Sequence, residues 1–207
     1  LDAANVKIPN LDFILNKLYN SCLVCLKNKP TPVKPKVSLP MAQDFNQTVC
    51  LDLKIWPSKN VIILYIIDAY TRFQQAHIIP DKKAETIVKA LVDNWILKLY
   101  GAPSNFLTDC GGEFYNWHFK EMCQQFGINM LVSSAESPWQ NGLCERNHAS
   151  TDRIVTKMME DDKTLNIHSA LSAATFAKNC LVNVNGFSPI QLVTGKMPRL
   201  PNVHDNM

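Results

Sequence analysis

The chain has 207 residues, of which 46% are hydrophobic and 19% are charged, and this composition is typical of a globular protein with a full core. The longest uncharged apolar run, residues 61–67, is far too short to span a bilayer, so we expect no membrane segment. The net charge of +3 is weak for a nucleic-acid-binding protein, and bulk charge alone does not indicate DNA.

The cysteine content indicates the compartment. Seven cysteines, an odd number, without a secretory signal argue against a disulfide framework and for a reducing environment. We therefore expect an intracellular protein, either nuclear or cytoplasmic. The chain begins at Leu1 with no initiator Met and no apolar leader, so we expect it to be an excerpt of a longer protein.

The first forty residues contain a short helix, a cysteine pair and a linker. Apolar residues recur at helical spacing over residues 8–20, which predicts a helix just before Cys22 and Cys25. Four lysines then fall within residues 27–36 without an acidic residue, and four prolines lie between residues 30 and 40. This pattern indicates an extended, semi-rigid linker, and we place a domain boundary there.

Beyond the linker, the pattern predicts strands followed by alternating helices and strands. Three β-branched and aromatic runs, residues 48–56, 61–69 and 72–79, predict an antiparallel meander. A helix over residues 82–100, a strand at 105–108, a helix at 116–126 and a strand at 128–132 follow, with Gly101 and Gly127 ending the two helices. Two further helices are predicted, at about residues 140–160 and 165–183. This order predicts an α/β fold.

Three acidic residues are candidates for a site, and two of them, Asp109 and Glu145, lie where one type of predicted structure gives way to another. Asp52 lies inside an apolar strand, where an ionised carboxylate is costly unless a metal or partner neutralises it. Asp109 follows a short strand and precedes Gly111 and Gly112, and Glu145 lies at or near the start of a helix. Each acid alone has an ordinary structural explanation, such as a turn or a first-turn helix acid. Together they suit a divalent-cation site, and so phosphoryl transfer on a polynucleotide.

Five ordered sequence elements carry a family resemblance over residues 48–202. They are Asp52 in the first strand and the strings Ile67-Asp68-Ala69-Tyr70-Thr71-Arg72-Phe73, Thr108 to Phe114, Ser137 to Arg146, and Gly186 to Gly195. The chain resembles the catalytic core of retroviral and long-terminal-repeat retrotransposon integrases, within the wider ribonuclease-H-like group. The last string is most similar to retrotransposons and their domesticated relatives.

The resemblance implies a fold, a site and an activity. The implied fold is a ribonuclease-H-like mixed five-stranded sheet flanked by helices and preceded by a small helical fragment. The implied catalytic and metal-binding residues are Asp52, Asp109 and Glu145, with two Mg²⁺ or Mn²⁺ ions as cofactors. The implied activity is DNA integration, in which a polynucleotidyl transferase processes the 3′ ends of element DNA and joins them to target DNA. The implied partners are both DNAs and further copies of the chain in a homo-oligomer.

The resemblance also points to DNA contacts around the last acid. The candidates are Gln140, Asn141, Arg146, His148 and Arg153. By helical spacing, His148 and Asp152 share the face of Glu145. Many family members carry lysines for DNA phosphates on this face, where this chain has Ala149 and Asp152.

Cys22 and Cys25 resemble the second half of the integrase His-His-Cys-Cys zinc module. A tetrahedral site needs four ligands, and no histidine precedes Cys22 in this sequence. We therefore expect Zn²⁺ only if two histidines lie upstream. The expected domains are a partial zinc-binding module at residues 1–27, a Lys/Pro-rich linker at 28–43, and the catalytic core with a C-terminal helical extension at 44–207.

Two alternative functions remain open at this point. The first is a domesticated integrase core that binds nucleic acid or protein without catalysis, which the missing helix lysines favour and the intact acidic trio disfavours. The second is a ribonuclease-H-like nuclease that acts on RNA–DNA hybrids without joining ends. The integrase-like tail at residues 186–201 disfavours this second alternative.

Asp68 is an alternative to Asp52 as the first metal ligand, because it also follows an apolar strand. Tyr70, Thr71 and Arg72 come directly after it and indicate a turn. In such a turn the carboxylate accepts hydrogen bonds from backbone or Arg72 donors, so we predict a structural role for Asp68.

Overall fold

A computed structural model describes residues 10–21, 42–56, 60–109, 111–133, 142–182 and 186–199. The chain divides into two compact units, Leu1–Val37 and Ser38–Met207. In the first unit, helix α1 spans Leu11–Ser21, which confirms the short helix predicted there. Cys22, Cys25 and most of the predicted linker lie outside the described residues. The three predicted domain boundaries therefore stay predictions.

The second unit opens with the predicted meander. Strands β1 (Thr48–Trp56), β2 (Val61–Asp68) and β3 (Gln74–Ile79) are antiparallel neighbours. The pairing of β1 with β2 runs without interruption over eight residues, from Val49 opposite Asp68 to Trp56 opposite Val61. Side chains alternate between the two faces of a strand. This register therefore determines, for each residue of β1, which of the two faces of the sheet its side chain lies on.

The helix predicted over residues 82–100 is present but changes its pitch midway. Helix α2 spans Ala84–Leu91 and continues as a π-helical segment, Val92–Tyr100. Its buried apolar residues recur every four positions, and an α-helix would rotate such a stripe by about 40° per turn. The wider π turn keeps Trp95 in line with Leu91 in the core. Gly101, at φ 72°, ends the segment as predicted.

Two more strands and a helix complete the sheet. Strand β4 (Asn105–Thr108), helix α3 (Trp117–Phe126) and strand β5 (Asn129–Val132) follow in chain order. Asn116 caps α3 by accepting a hydrogen bond from the Phe119 N–H, and Gly127, at φ 67°, ends it. Strands β1, β4 and β5 are parallel neighbours, so the sheet is mixed, with the order β3-β2-β1-β4-β5.

Three helices follow the sheet. They are α4 (Gly142–Asp161), α5 (Ile167–Cys180) and α6 (Pro189–Thr194). The first two match the helices predicted at residues 140–160 and 165–183. The third was not predicted, although Ser188 and Gln191 form a capping box at its start. None of the helices in the described ranges is long and apolar enough to cross a membrane.

The two faces of the sheet are covered by different helices. Leu51, Leu64 and Phe106 pack on one face against the buried residues of α2 and α3. Cys50, Tyr65 and their neighbours pack on the other face against α4 and α5. This arrangement confirms the predicted α/β class, a mixed five-stranded sheet flanked by helices. It also places the even-numbered residues of β1, Asp52 among them, on the face that α4 covers.

Candidate active site

Asp52 and Asp109 lie on neighbouring parallel strands at matching positions. The pairing of β1 with β4 runs from Thr48 opposite Asn105 to Cys50 opposite Leu107, a constant offset of 57 residues. The same offset sets Asp109, the residue after β4, beside Asp52. Neighbouring strands are separated by about 4.8 Å, and side chains at matched positions point to the same face. Continued two residues beyond the last pair, Cys50 opposite Leu107, this register places Asp109 next to Asp52 and on the face covered by α4.

The loop after β4 shapes the position of Asp109. Its Oδ1 accepts a hydrogen bond from the Gly111 N–H at 3.0 Å, and the carboxylate itself is exposed. A Cβ atom at Gly111 would lie 2.9 Å from Asp109 Oδ1 and 2.8 Å from Glu113 Oε2. The absence of a side chain at Gly111 thus lets the two carboxylate groups approach this loop together.

We expect Gly111→Ala to weaken divalent-metal binding by ~10-fold while changing the free energy of unfolding by less than ~1 kcal/mol. The added methyl group meets the far ends of two side chains, so it displaces the Asp109 carboxylate without disturbing the core. Calorimetric titration with Mn²⁺ measures the affinity, and urea unfolding measures the stability. Gly112→Ala is the matched control, because a Cβ there has no atom within 4 Å. Equal Mn²⁺ affinities in the two variants would contradict the expectation.

Helix α4 crosses the sheet next to Asp52. Cys144, in its first turn, is fully buried against Cys50 of β1, and the thiol–thiol hydrogen bond, with burial, raises the pKa of Cys144. Cys50 precedes Asp52 by two residues on the same face of β1, and Cys144 directly precedes Glu145. This contact brings the backbone of Glu145 to the strand that carries Asp52. The Glu145 side chain lies outside the described residues.

His148 and Asp152 continue along α4 from Glu145 and contact β1. His148 Nε2 lies 3.0 Å from Asp52 Oδ2, and His148 Nδ1 lies 4.0 Å from Asp152 Oδ2. Both ring nitrogens are buried, and neither makes an aligned hydrogen bond, so the contact with Asp52 is one of close approach without a hydrogen bond. The Asp52 and His148 side chains are 16% and 14% exposed, so bulk water screens this contact only in part.

Two residues that the sequence interpretation did not select complete this cluster. The Tyr65 hydroxyl donates a hydrogen bond to Asp152 Oδ1 at 2.6 Å, and the Tyr65 ring packs 5.4 Å from the ring of His148. Burial, followed by the bond to Asp152, raises the pKa of Tyr65, so its hydroxyl stays protonated as the donor. Lys54 forms an ion pair with the same Asp152. The alternation of Asp52 and Lys54 along β1 was the available signal, since residues two apart share a face.

The donor chemistry of this region fits a hard divalent cation. Asp52, in the middle of β1, and Asp109, directly after the adjacent strand β4, offer carboxylate oxygens. Mg²⁺ prefers such ligands together with water and phosphate oxygens. Among the described residues, no three His, Cys, Asp or Glu side chains are already arranged around a common point. The third acid of the predicted trio, Glu145, has no described side chain. The two strand carboxylates therefore fit a metal, and the assignment of all three ligands stays a prediction.

Asp68 has the structural role that the sequence favoured. Its side chain is fully buried, and it accepts hydrogen bonds from the Asn46 N–H, the Thr71 N–H and the Thr71 hydroxyl at 2.6–2.9 Å. The donors come from Thr71 and Asn46, and the Arg72 contribution is a backbone hydrogen bond to the Asp68 carbonyl. With three donors on its carboxylate, Asp68 closes the turn after β2.

The residues predicted to contact DNA are only partly described. Arg146 and Arg153 are exposed on α4, and Gln140 and Asn141 lie outside the described residues. Arg72, which was not predicted as a DNA contact, lies near Arg146. Burial lowers the pKa of Arg72, and the like charge of Arg146 lowers it further. The DNA-contacting roles of all these residues stay predictions.

Comparisons with known proteins find relatives by sequence. No protein-family profile matches the chain. It is 29% identical over 143 residues to the retrovirus-related Pol polyprotein from transposon 412 of Drosophila melanogaster, covering 69% of this chain and 11% of that protein. It is 28% identical over 113 residues to the Gag-Pro-Pol polyprotein of bovine leukemia virus, covering 55% of this chain and 8% of that protein. The chain thus spans about a tenth of the length of these relatives.

Solved structures share the fold. A chain of the simian T-cell lymphotropic virus intasome in complex with the PP2A regulatory subunit B56 gamma superposes with a TM-score of 0.73 at 23% identity, over 94% of this chain and 70% of that one. The HTLV-2 integrase catalytic core domain in complex with magnesium gives 0.63 at 19% identity, over 73% of this chain and 98% of that one. The chain has the fold of a retroviral integrase catalytic core, and its sequence relatives are retroviral and retrovirus-related Pol polyproteins.

Proposed function

We propose that the chain is the central part of a metal-dependent polynucleotidyl transferase that integrates DNA. The observation that carries this proposal is the convergence of three chain segments near the middle of β1. Asp109 lies beside Asp52 by strand register, and Cys144 packs on Cys50 and brings in the backbone of Glu145. The magnesium complex of the HTLV-2 core, which has the same fold, supports metal binding by these acids.

In this proposal Asp52, Asp109 and Glu145 hold the metal ions. When bound, Mg²⁺ or Mn²⁺ activates the attacking oxygen and offsets the charge that develops at phosphorus. The carboxylates would hold the ions in fixed positions, to which the oxygens of the scissile phosphodiester would bind. Such positioning supplies a large part of the rate enhancement. His148, beside Asp52, restrains that carboxylate on the side facing α4.

Two reactions at one such site account for integration. In 3′-end processing a water oxygen attacks a phosphorus near the end of the element DNA, and the bond from that phosphorus to the 3′ oxygen breaks. In strand transfer the freed 3′-hydroxyl oxygen attacks a phosphorus of the target strand. The target 3′ oxygen leaves and takes up the proton, so one phosphodiester replaces another. Neither step requires an oxidant, a reductant or a nucleotide cofactor.

The proposal includes DNA and further copies of the chain as partners. Phosphate contacts release counterions, so the affinity for DNA is expected to fall steeply with salt. Candidate contacts are the exposed Arg146 and Arg153, together with His148 and the loop residues Gln140 and Asn141. The simian virus protein with the same fold belongs to an intasome, which supports a homo-oligomer here. Cys22 and Cys25 would bind Zn²⁺ only together with histidines from outside this sequence.

A joining assay tests the function. We expect labelled oligonucleotide duplexes to be joined to plasmid DNA in Mn²⁺ and not in EDTA, because the carboxylates bind DNA productively only through the metal. The assay uses this chain and a longer form that includes the flanking sequence. DNA binding without joining in either form would favour the domesticated, inactive core. Cleavage of RNA–DNA hybrids without joining would favour the ribonuclease-H-like nuclease.

A further inference from the structure

A lysine ammonium group is buried beneath the start of α4. Lys178 of α5 is only 6% exposed, and its Nζ lies 2.7 Å from Gln74 Oε1, 2.9 Å from the Asn147 carbonyl oxygen and 2.5 Å from Asn147 Oδ1. An ammonium group has three N–H donors, so all three are used. The acceptors belong to β3 and α4, and Lys178 thus joins three elements at one point.

All three acceptors of Lys178 are uncharged amide or carbonyl oxygens. Burying a cation without an acidic acceptor is costly, and burial lowers the pKa of Lys178 to about 8. An apolar side chain of similar length would fill the same volume without that cost. The three hydrogen bonds of Lys178 require Gln74 and Asn147 to meet at one point, so they favour a single arrangement of β3, α4 and α5.

A second connection holds α4 one turn further along. The Gln74 amide donates a hydrogen bond to the Thr151 hydroxyl at 2.6 Å. The backbone of Gln74 exchanges two hydrogen bonds, of 2.9 Å and 2.8 Å, with the side-chain amide of Asn179. Gln74 is therefore fixed to α5, and it presents its own amide to α4 together with the Lys178 ammonium. Lys178 contacts the helix at Asn147, and Gln74 contacts it at Thr151.

We propose that Lys178 is a positioning residue that fixes the first two turns of α4 against the sheet, and with them Glu145. This inference rests on the proposed function, because Glu145 is the third metal ligand only there. Asn147 follows Glu145 by two residues in one rigid helix, so a shift of Asn147 moves Glu145 relative to Asp52. Lys178 touches neither the metal nor DNA, and it acts through the helix.

Lys178→Met tests the inference, with Thr151→Val as the matched control. Both variants remove buried hydrogen bonds between α4 and its supports. Thr151→Val also removes a bond within the helix, from the Thr151 hydroxyl to the Asn147 carbonyl, but only Lys178→Met removes the link between Asn147 and α5. We expect Lys178→Met to weaken Mn²⁺ binding by ~10-fold or more, as loss of groups that orient metal ligands does, while DNA binding in EDTA stays within ~3-fold. Thr151→Val should keep the Mn²⁺ affinity within ~3-fold at a comparable loss of stability. Equal Mn²⁺ affinities in the two variants would overturn the inference.

Hydrogen exchange separates this inference from the proposed function. Lys178→Met should lose amide protection over residues 142–149 and retain it over 153–161, whereas Thr151→Val should keep the early protection. Unchanged protection over 142–149 in Lys178→Met would overturn the positioning role, whatever the metal does. If the parent chain binds no Mn²⁺, the proposed function is wrong. The hydrogen-exchange result then still tests whether Lys178 positions α4. If Lys178→Met does not fold, Lys178→Gln, which keeps one donor, should show intermediate losses, and parental values would count against the inference.

Discussion

Asp52→Asn is expected to reduce Mn²⁺-dependent DNA joining by on the order of 10³-fold while leaving the fold intact. An amide has the size of the carboxylate but lacks its charge, so the proposed site loses a metal ligand and keeps its packing. Asp52 pairs with Tyr65 through the backbone of β1 and β2, and the substitution does not alter that ladder. Joining is measured as labelled product per unit time, and the fold by circular dichroism.

Asp93→Asn is the control for Asp52→Asn. Asp93 is an exposed acid that pairs with Lys89 one turn before it, and such pairs contribute little to stability. Its substitution should leave joining within ~2-fold of the parent. Retention of joining by Asp52→Asn at the level of Asp93→Asn would remove Asp52 from the catalytic site. Loss of joining together with unfolding would assign Asp52 a structural role instead.

The strands and most helix limits follow from local features of the sequence. Ile87 and Leu91 recur at helical spacing and are fully buried, and Gly101 and Gly127 adopt the positive φ that ends each helix. The β-branched runs formed the predicted meander, and the continuous apolar run of β2 suits its position in the sheet, where helices cover both faces. These features act over a few residues, so the sequence alone expresses them.

The change from α-helix to π-helix at Val92 and the ion pair between Lys54 of β1 and Asp152 of α4 do not follow from local features of the sequence. The π-helical turn depends on how Trp95 fits the core formed by the sheet, and a single-helix pattern contains no such information. Lys54 and Asp152 are separated by 98 residues, and they meet only because α4 crosses β1. The family resemblance marked Asp152 as an acid on a helix face where many family members carry lysines. The structure shows that β1 brings a lysine, Lys54, to that acid.

In the candidate site, the relative position of Asp52 and Asp109 could be predicted from sequence spacing, but the position of α4 depends on packing contacts. The offset of 57 residues between Asp52 and Asp109 could be anticipated once two parallel strands were assumed to be neighbours. The approach of α4 depends on Cys144 fitting against Cys50, and on Lys178 beneath Asn147. Such contacts join buried groups that are far apart in the sequence, by up to about a hundred residues. No local sequence pattern identifies the partner of such a group. This is why the sequence could offer the acids as candidates, which stay predictions, but could not offer their supports.

Asp68→Ala is expected to lower the free energy of unfolding by about 3 kcal/mol or more, because it leaves the Asn46 and Thr71 donors buried without an acceptor. In a domain of this size that loss corresponds to a fall in Tm of roughly 10 °C. Calorimetry and urea unfolding measure it. Asp93→Ala, at an exposed acid, should change the stability by less than ~0.5 kcal/mol.

The effect of Asp68→Ala should also depend on pH. Burial raises the pKa of Asp68 although its hydrogen bonds oppose the shift, so the folded chain binds this proton more tightly than the unfolded chain. The contribution of Asp68 to the free energy of unfolding therefore falls as the pH rises from the ordinary Asp pKa of 3.8 through the raised pKa of Asp68 in the folded chain. The difference in the free energy of unfolding between the parent and Asp68→Ala should therefore decrease over that pH interval and stay constant above it. A folded, stable Asp68→Ala that no longer binds Mn²⁺ would instead make Asp68 the metal ligand, in place of Asp52.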